Sequence, residues 1–220
     1  MLEELKEANG YVVGKIKEKD ELILELEKYA AENNVPIVTK EVAEYLKFMV
    51  DMNKSQNILE VGTAIGYSGI IMARAAQKYG GKLTTIEIDE ERYKEANINF
   101  EKAGIKNVKT ILGDAGEEIK KLDEEFDFVF IDASKGHYRE FFDDSYKLLK
   151  KDGIIFIDNI MFRGYLYKEY PKRFKTIVRK LDEFITWLYE EFGESFVLLP
   201  FGDGIGLVRH KNSTETSEEK

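Results

Sequence analysis

The stretch Asn57-Ile58-Leu59-Glu60-Val61-Gly62-Thr63-Ala64-Ile65-Gly66-Tyr67-Ser68 decides the fold. Ile58, Leu59 and Val61 form a short apolar run, the pattern of a buried strand. Gly62 and Gly66 bracket a tight loop. Residues 67–78 then read as a helix, with Ile70, Ile71, Ala73 and Ala75 as its apolar face. A strand, a glycine loop and a helix in that order form a cradle for a nucleotide-like ligand. Glycines let the backbone come close to the ligand, and the helix N-terminus offers unpaired N–H groups. The dinucleotide fingerprint G-x-G-x-x-G is absent, because Thr63, Ala64 and Ile65 stand between Gly62 and Gly66. A plain glycine turn after a strand would carry the same letters. The surrounding elements favour the cradle.

Downstream of this unit, strands and helices alternate. Residues 82–88 read as a strand, and Asp89 can cap a helix that stops at Gly104-Ile105. Residues 108–112 are a strand, followed by a short helix from Ala115. Residues 126–131 are almost wholly apolar, residues 138–149 helical, Asp152-Gly153 a turn, and residues 154–157 another buried strand. A long helix spans 171–192. Strands at 196–199 and 205–209 are joined through Phe201-Gly202-Asp203-Gly204 as a hairpin. Such alternation predicts an α/β fold: a mostly parallel sheet covered on both faces, with an antiparallel C-terminal edge.

Upstream, residues 1–52 read as helices. Leu22, Ile23, Leu26 and Tyr29 share a face, residues 35–38 make an extended break, and Thr39 can cap a helix carrying Val42, Leu46 and Met49. Nothing there has catalytic character, and these helices suit a cover over the cleft or a dimer surface. The expected organisation is one domain over 1–211, with a helical cover at 1–52, an α/β core at 53–211, and a polar, disordered tail at 212–220.

Composition narrows the class. A chain of 220 residues suits one domain and can bury a substantial core. No apolar run approaches membrane-spanning length. The first residues carry no basic, apolar leader. Cysteine is absent, which excludes disulfides, thiolate metal sites and cysteine nucleophiles and suits a cytoplasmic protein. The net charge of −9 argues against a nucleic-acid partner overall, though a net value hides local patches.

In open α/β sheets ligands sit beyond the carboxyl ends of the strands. Glu60 and Gly62 lie at the end of the first strand. Glu87 ends the second, about 25 residues after Gly62 and close to the acidic position of nucleotide-binding sheets, where it can accept from two ribose hydroxyls. Asp114 follows the third strand, and it suits a ligand contact or a helix cap equally. The fourth strand ends in Asp132-Ala133-Ser134-Lys135-Gly136-His137-Tyr138 and the fifth in Asp158-Asn159. If these two strands are neighbours, Asp132, Asp158 and Asn159 meet. Two carboxylates and an amide oxygen are hard donors suited to Mg²⁺. Without a cation the two carboxylates would repel, and one would be pushed towards protonation.

The E-x-G-x-x-x-G pattern from Glu60 to Gly66 resembles the first motif of S-adenosylmethionine-dependent methyltransferases, and the element order resembles their seven-stranded, Rossmann-like fold. Asp-x-x-Lys at Asp132–Lys135 with Asp158-Asn159 resembles the cation-dependent O-methyltransferases of the catechol and caffeoyl-coenzyme A type, over roughly residues 35–210. The resemblance implies S-adenosylmethionine held by Val38, Glu60, Gly62, Ser68, Glu87, Asp114, Ala115 and Asp132. It implies Mg²⁺ on Asp132, Asp158 and Asn159. It also implies Lys135 near the reacting hydroxyl, as base or as orienting charge. His137 is a lone histidine and reads as structural or surface.

The acceptor is argued from residues 163–180. Arg163, Lys168, Lys172, Arg173, Lys175, Arg179 and Lys180 are opposed only by Glu169, and Tyr165, Tyr167, Tyr170 and Phe174 are interleaved. Cationic and aromatic side chains together suit the phosphates and unstacked bases of single-stranded RNA. For residues 175–180 a solvated helix face fits better. The stretch Asp158 to Gly164 resembles the bacterial tRNA 5-hydroxyuridine methyltransferases, which implies tRNA as partner with Tyr138, Arg163, Lys168, Lys172 and Arg173 on the acceptor side. A small catechol-type diol is the alternative acceptor. A nucleotide-binding protein without activity is a third possibility, disfavoured because Lys135 and the acidic pair are all present. A cytoplasmic homodimer is expected.

Overall fold

The computed structural model describes residues 2–211, so the tail expected to be disordered lies outside the described residues. Seven strands form one sheet in the order β3-β2-β1-β4-β5-β7-β6. Strands β1 (Asn57–Val61), β2 (Lys82–Glu87), β3 (Val108–Leu112), β4 (Phe126–Ile131) and β5 (Leu149–Ile157) run parallel. Strands β6 (Phe196–Leu199) and β7 (Ile205–Arg209) form an antiparallel hairpin, and β7 pairs antiparallel with β5. The expected fold class is the one found.

All five residues of β1 are buried. That burial pattern belongs to a central strand covered on both faces, where an apolar run replaces alternation. Ile58, Phe128, Phe130 and Phe156 pack under α2 (Glu21–Asn33), α3 (Lys40–Met52), α4 (Tyr67–Gln77) and α5 (Glu90–Lys102). Leu59, Val61, Val129, Ile131, Ile155 and Ile157 face the other layer: α6 (Ala115–Glu118), α7 (Tyr138–Lys147) and α8 (Lys175–Phe192). An N-terminal helix, α1 (Leu2–Lys15), lies outside this core and touches α3. No helix among the described residues is long and apolar enough to cross a membrane.

Helix boundaries follow local chemistry. The Asp89 carboxylate accepts from the Arg92 N–H at 2.9 Å, a side-chain N-cap for α5. At the other end Gly104 is left-handed (φ 68°) and Ile105 N–H returns to the Phe100 carbonyl at 3.0 Å, closing the helix.

Several expectations are corrected. Thr39 stands at the N-cap of α3, but its hydroxyl makes no capping bond. The buried stripe of α2 is Ile23, Leu26 and Ala30, while Tyr29 is exposed. In α4 the buried apolar set is Ile70, Met72, Ala73 and Ala76, with Ile71 and Ala75 at its margin. Asp152-Gly153 lies inside β5, not in a separate turn. The pairing jumps from Phe126↔Leu149 to Phe128↔Ile154, so a bulge absorbs the extra residues. The segment after Pro171 begins as a 3-10 turn (Lys172–Phe174), and α8 starts only at Lys175.

Candidate active site

The parallel strands deliver their carboxyl ends to one edge of the sheet. There, a cleft of about 540 Å³ opens beside the glycine loop. Gly62 has φ 101°, and a Cβ at this position would fall on the Asp132 carbonyl oxygen. The backbone of β1 thus passes against that of β4, and only glycine fits. Gly66, at φ 85°, forms the N-cap of α4.

Glu87, 6 % exposed, holds this loop from beneath. Its carboxylate accepts from Ala64 N–H at 2.7 Å, Ile88 N–H at 3.0 Å and Asp89 N–H at 2.9 Å. A carboxylate has about four acceptor positions, so about one is left for a ligand hydroxyl. Val38, Gly62, Ser68, Asp114, Ala115 and Asp132 line the same cleft. The two uses considered for Asp114 coexist: it caps α6 through Gly116 N–H at 2.8 Å and it lines the cleft.

Glu60 is placed differently from expectation. It is fully buried behind the loop and outside the cleft lining, where it bonds Ser68 Oγ at 2.5 Å and Thr85 Oγ1 at 2.6 Å. Burial pushes its carboxyl up to about 8, against the two hydroxyl bonds that favour the ionised form. Glu60 supports the cradle and does not face a ligand. Its place in the motif shows the residue type, while the inward direction comes from strand register. Ile88, directly after Glu87, was not singled out from sequence. It is 67 % exposed and lines the cleft, an apolar surface suited to a flat ring.

The second half of the site lies across Asp132. Pairing of β4 with β5 brings Asp132, Asp158 and Asn159 together, and Asp158 N–H donates to the Ile131 carbonyl at 3.0 Å. Asn159 Nδ2 donates to Asp132 Oδ1 at 3.3 Å and to Asp158 Oδ2 at 3.0 Å, and a half-turn about χ2 presents the amide oxygen instead. Asp158 is 2 % exposed. Burial first, and the charge of Asp132 second, push its carboxyl up to about 7, with the Asn159 N–H opposing. Two carboxylates held this close, one at the edge of protonation, form a site that a divalent cation would relieve. No group of three or more His, Cys, Asp or Glu side chains is arranged to hold a metal among the described residues; the set here is two carboxylates and one amide.

Lys135 Nζ lies 3.2 Å from Asp132 Oδ1 and 5.3 Å from the centre of the Tyr138 ring. Tyr138 itself is a correction. It is 1 % exposed, its hydroxyl donates to the Asp158 carbonyl at 2.8 Å, and it does not line the cleft. It supports the acidic strand end and is unavailable to an acceptor. His137, expected to be structural or surface, is exposed and faces Glu140 at 3.3 Å, and both residues line the cleft.

Beyond Asn159 the cationic segment lies on the outside: Arg163, Lys168, Lys172 and Arg173 are exposed. The aromatic residues divide. Tyr165 and Phe174 pack on each other and on buried Phe162, with ring centres 5.3–5.5 Å apart. Tyr167 and Tyr170 remain exposed, at 60 % and 39 %. Further along, Arg179 is paired with Glu183 at 2.7 Å, the solvated helix face expected for that part. Asp203, in the β6–β7 turn, carried no signal in the sequence. It nonetheless accepts the Arg163 N–H at 2.5 Å.

The comparison with known proteins agrees with this geometry. The O-methyltransferase family profile matches residues 15–211. A catechol O-methyltransferase of Niastella koreensis is 32% identical over 166 residues, covering 72% of this chain and 75% of its own. A caffeoyl-CoA O-methyltransferase of Populus kitakamiensis is 27% identical over 192 residues, covering 83% of this chain and 81% of its own. The crystal structure of a Bacillus cereus O-methyltransferase in complex with SAH superposes with a TM-score of 0.81 at 26% identity, covering 96% of this chain and 100% of that one. Fold and site define a methyltransferase of the seven-stranded class. The chain belongs to the O-methyltransferase family, and its relatives are enzymes of the catechol and caffeoyl-CoA type.

Proposed function

We propose that the protein transfers a methyl group from S-adenosylmethionine to one of two adjacent oxygens of its acceptor, with Mg²⁺ at Asp132, Asp158 and Asn159. The observation that carries this is the continuity of two sites through Asp132. Its backbone closes on Gly62, and its carboxylate stands beside Asn159 and Lys135. A donor in the glycine cleft and an acceptor on the acidic cluster would then meet at one residue.

Each residue has a part. Glu87 fixes the loop and keeps an acceptor for the donor's ribose. Asp132, Asp158 and the amide oxygen of Asn159 would hold the cation, which when bound favours ionisation of a chelated hydroxyl. Lys135, tethered by Asp132, stands beside the acceptor oxygen, where its charged form would orient that oxygen and its neutral form would take the hydroxyl proton. The acceptor oxygen attacks the sulfonium methyl carbon in line as the carbon–sulfur bond breaks. The protein's largest contribution is alignment.

The acceptor we favour is 5-hydroxyuridine in the tRNA anticodon loop. Its hydroxyl beside a ring carbonyl is a chelating pair, and the exposed cations from Arg163 to Arg173 suit the surrounding phosphates. A small catechol is the second reading, favoured by the names of the relatives and by Tyr165 and Phe174 being half-buried and stacked on each other. Incubation with methyl-labelled S-adenosylmethionine and either tRNA carrying 5-hydroxyuridine or a simple catechol separates them. Label in the tRNA supports the first reading, label in catechol alone the second, and label in neither overturns both.

A further inference from the structure

The loop after β5 has an unusual backbone. Asn159 (φ 55°), Phe162 (φ 46°), Arg163 (φ 60°) and Gly164 (φ 72°) are all left-handed. Three of these four carry side chains, and such conformations persist only where the surroundings over-determine them. The hydrogen bonds of this loop show what does so. Asn159 N–H goes to Asp158 Oδ1 at 2.8 Å, and Phe162 N–H goes to the Asn159 carbonyl at 3.1 Å. Three others leave for the β6–β7 turn. Ile160 N–H donates to the Gly204 carbonyl at 3.1 Å, and Met161 N–H to the Asp203 carbonyl at 2.9 Å. Arg163 N–H reaches Asp203 Oδ2 at 2.5 Å. Two residues of the distant hairpin therefore take three of the six N–H groups between Asn159 and Gly164. Gly204 permits the close approach, since a Cβ there would strike the Met161 side chain.

We propose that Asp203 is a positioning residue for the acceptor side of the site. By accepting the Arg163 N–H on its carboxylate it fixes the path of the loop at its far end. That path sets the rotation of Asn159 beside Asp132 and Asp158, and it sends the Arg163 side chain outward to the rim. Asp203 is not one of the three proposed cation ligands. Its charge does act on Asp158 and Lys135, which places it within electrostatic reach of the acidic set. The part concerning Asn159 rests on the cation reading above, while the anchoring of the loop stands on its own hydrogen bonds.

The test uses Asp203→Ala and Asp203→Asn in the full chain, with three readouts that do not require turnover. The first is the rate of tryptic cleavage at the Arg163–Gly164 bond. In Asp203→Ala it should rise about ten-fold, the effect of losing one charge-assisted bond on the population of the open loop. The second is calorimetric binding of Mg²⁺ without acceptor, which should weaken about 10–100-fold, as for other residues that orient metal ligands. The third is affinity for S-adenosylhomocysteine, which should stay within about two-fold because Glu87 and the glycine loop are untouched. Asp203→Asn keeps an acceptor oxygen and should recover most of both losses. Wild-type cleavage at Arg163 in Asp203→Ala would overturn the proposal. So would a parallel fall in S-adenosylhomocysteine affinity and melting temperature, the mark of general destabilisation. If the wild-type protein binds no Mg²⁺, the cation reading fails, and the cleavage readout still decides whether Asp203 anchors the loop.

Discussion

Replacing Asp158 by asparagine should stabilise the protein at alkaline pH while abolishing its activity. Asp158 is buried next to Asp132, and its carboxyl is pushed from 3.8 up to about 7. A carboxyl with a folded pKa above its unfolded one binds more protons folded than unfolded. Raising the pH strips that proton, so the folded state loses stability across the window from 3.8 to about 7. A tenfold difference in proton affinity between the folded and unfolded chain is worth about 1.36 kcal/mol. Asp158 should therefore cost about 4 kcal/mol at pH 8, relative to a carboxyl that holds its proton equally in both states. Of this, about 3 kcal/mol should appear between pH 5 and pH 8. Asparagine is neutral throughout and still accepts the Asn159 N–H. It loses the contact with Asn159 Nδ2, a cost of about 1 kcal/mol. The assay is urea denaturation in chelator at pH 5 and pH 8 for both proteins. Glu60, whose carboxyl is raised to about 8, adds a slope of the same sign to both and cancels in the comparison. The expected result is a variant more stable than wild type by about 3 kcal/mol at pH 8, with the gap closing towards pH 5. Saturating Mg²⁺ should stabilise wild type at pH 8 and leave the variant unmoved. Equal pH dependence in the two proteins, or a variant weaker at pH 8, would refute the reasoning.

Glu87→Ala should weaken S-adenosylmethionine binding by about 1.5–3 kcal/mol, the range for a hydrogen bond to a charged group, and calorimetry showing unchanged affinity would remove Glu87 from the site. Changing Arg163, Lys168, Lys172 and Arg173 together to glutamine should lower tRNA affinity and flatten its salt dependence by about 0.7 in slope per lost phosphate contact. Catechol methylation, where present, should survive this change; tRNA binding and methylation at wild-type levels would reduce the segment to a solvated surface.

The sheet was legible in the sequence because its strands are short apolar runs bounded by glycine, aspartate and turn residues. The bounds of β3, β4, β6 and β7 match the expected ones. The bulge in β5 was not legible, since Asp152-Gly153 carries the letters of a turn and only pairing with β4 shows that the strand continues. The acidic cluster was legible once two strand ends were taken as neighbours. What failed was direction. Glu60 and Tyr138 lie in the right motifs yet point into the core, because the side chain's face depends on strand register and helix phase. Asp203 was invisible for another reason: its side-chain partner is a backbone amide 40 residues away, and main-chain donors leave no trace in side-chain identity.

The central claim is that Asp132, Asp158 and Asn159 make methyl transfer depend on a divalent cation. Transfer of labelled methyl from S-adenosylmethionine to 5-hydroxyuridine tRNA or to catechol should be measured in chelator and in excess Mg²⁺, for wild type and for Asp158→Ala. The account predicts that chelator abolishes wild-type turnover, that Mg²⁺ restores it, and that Asp158→Ala stays inactive in both while still binding S-adenosylmethionine. Full wild-type turnover in chelator would contradict it.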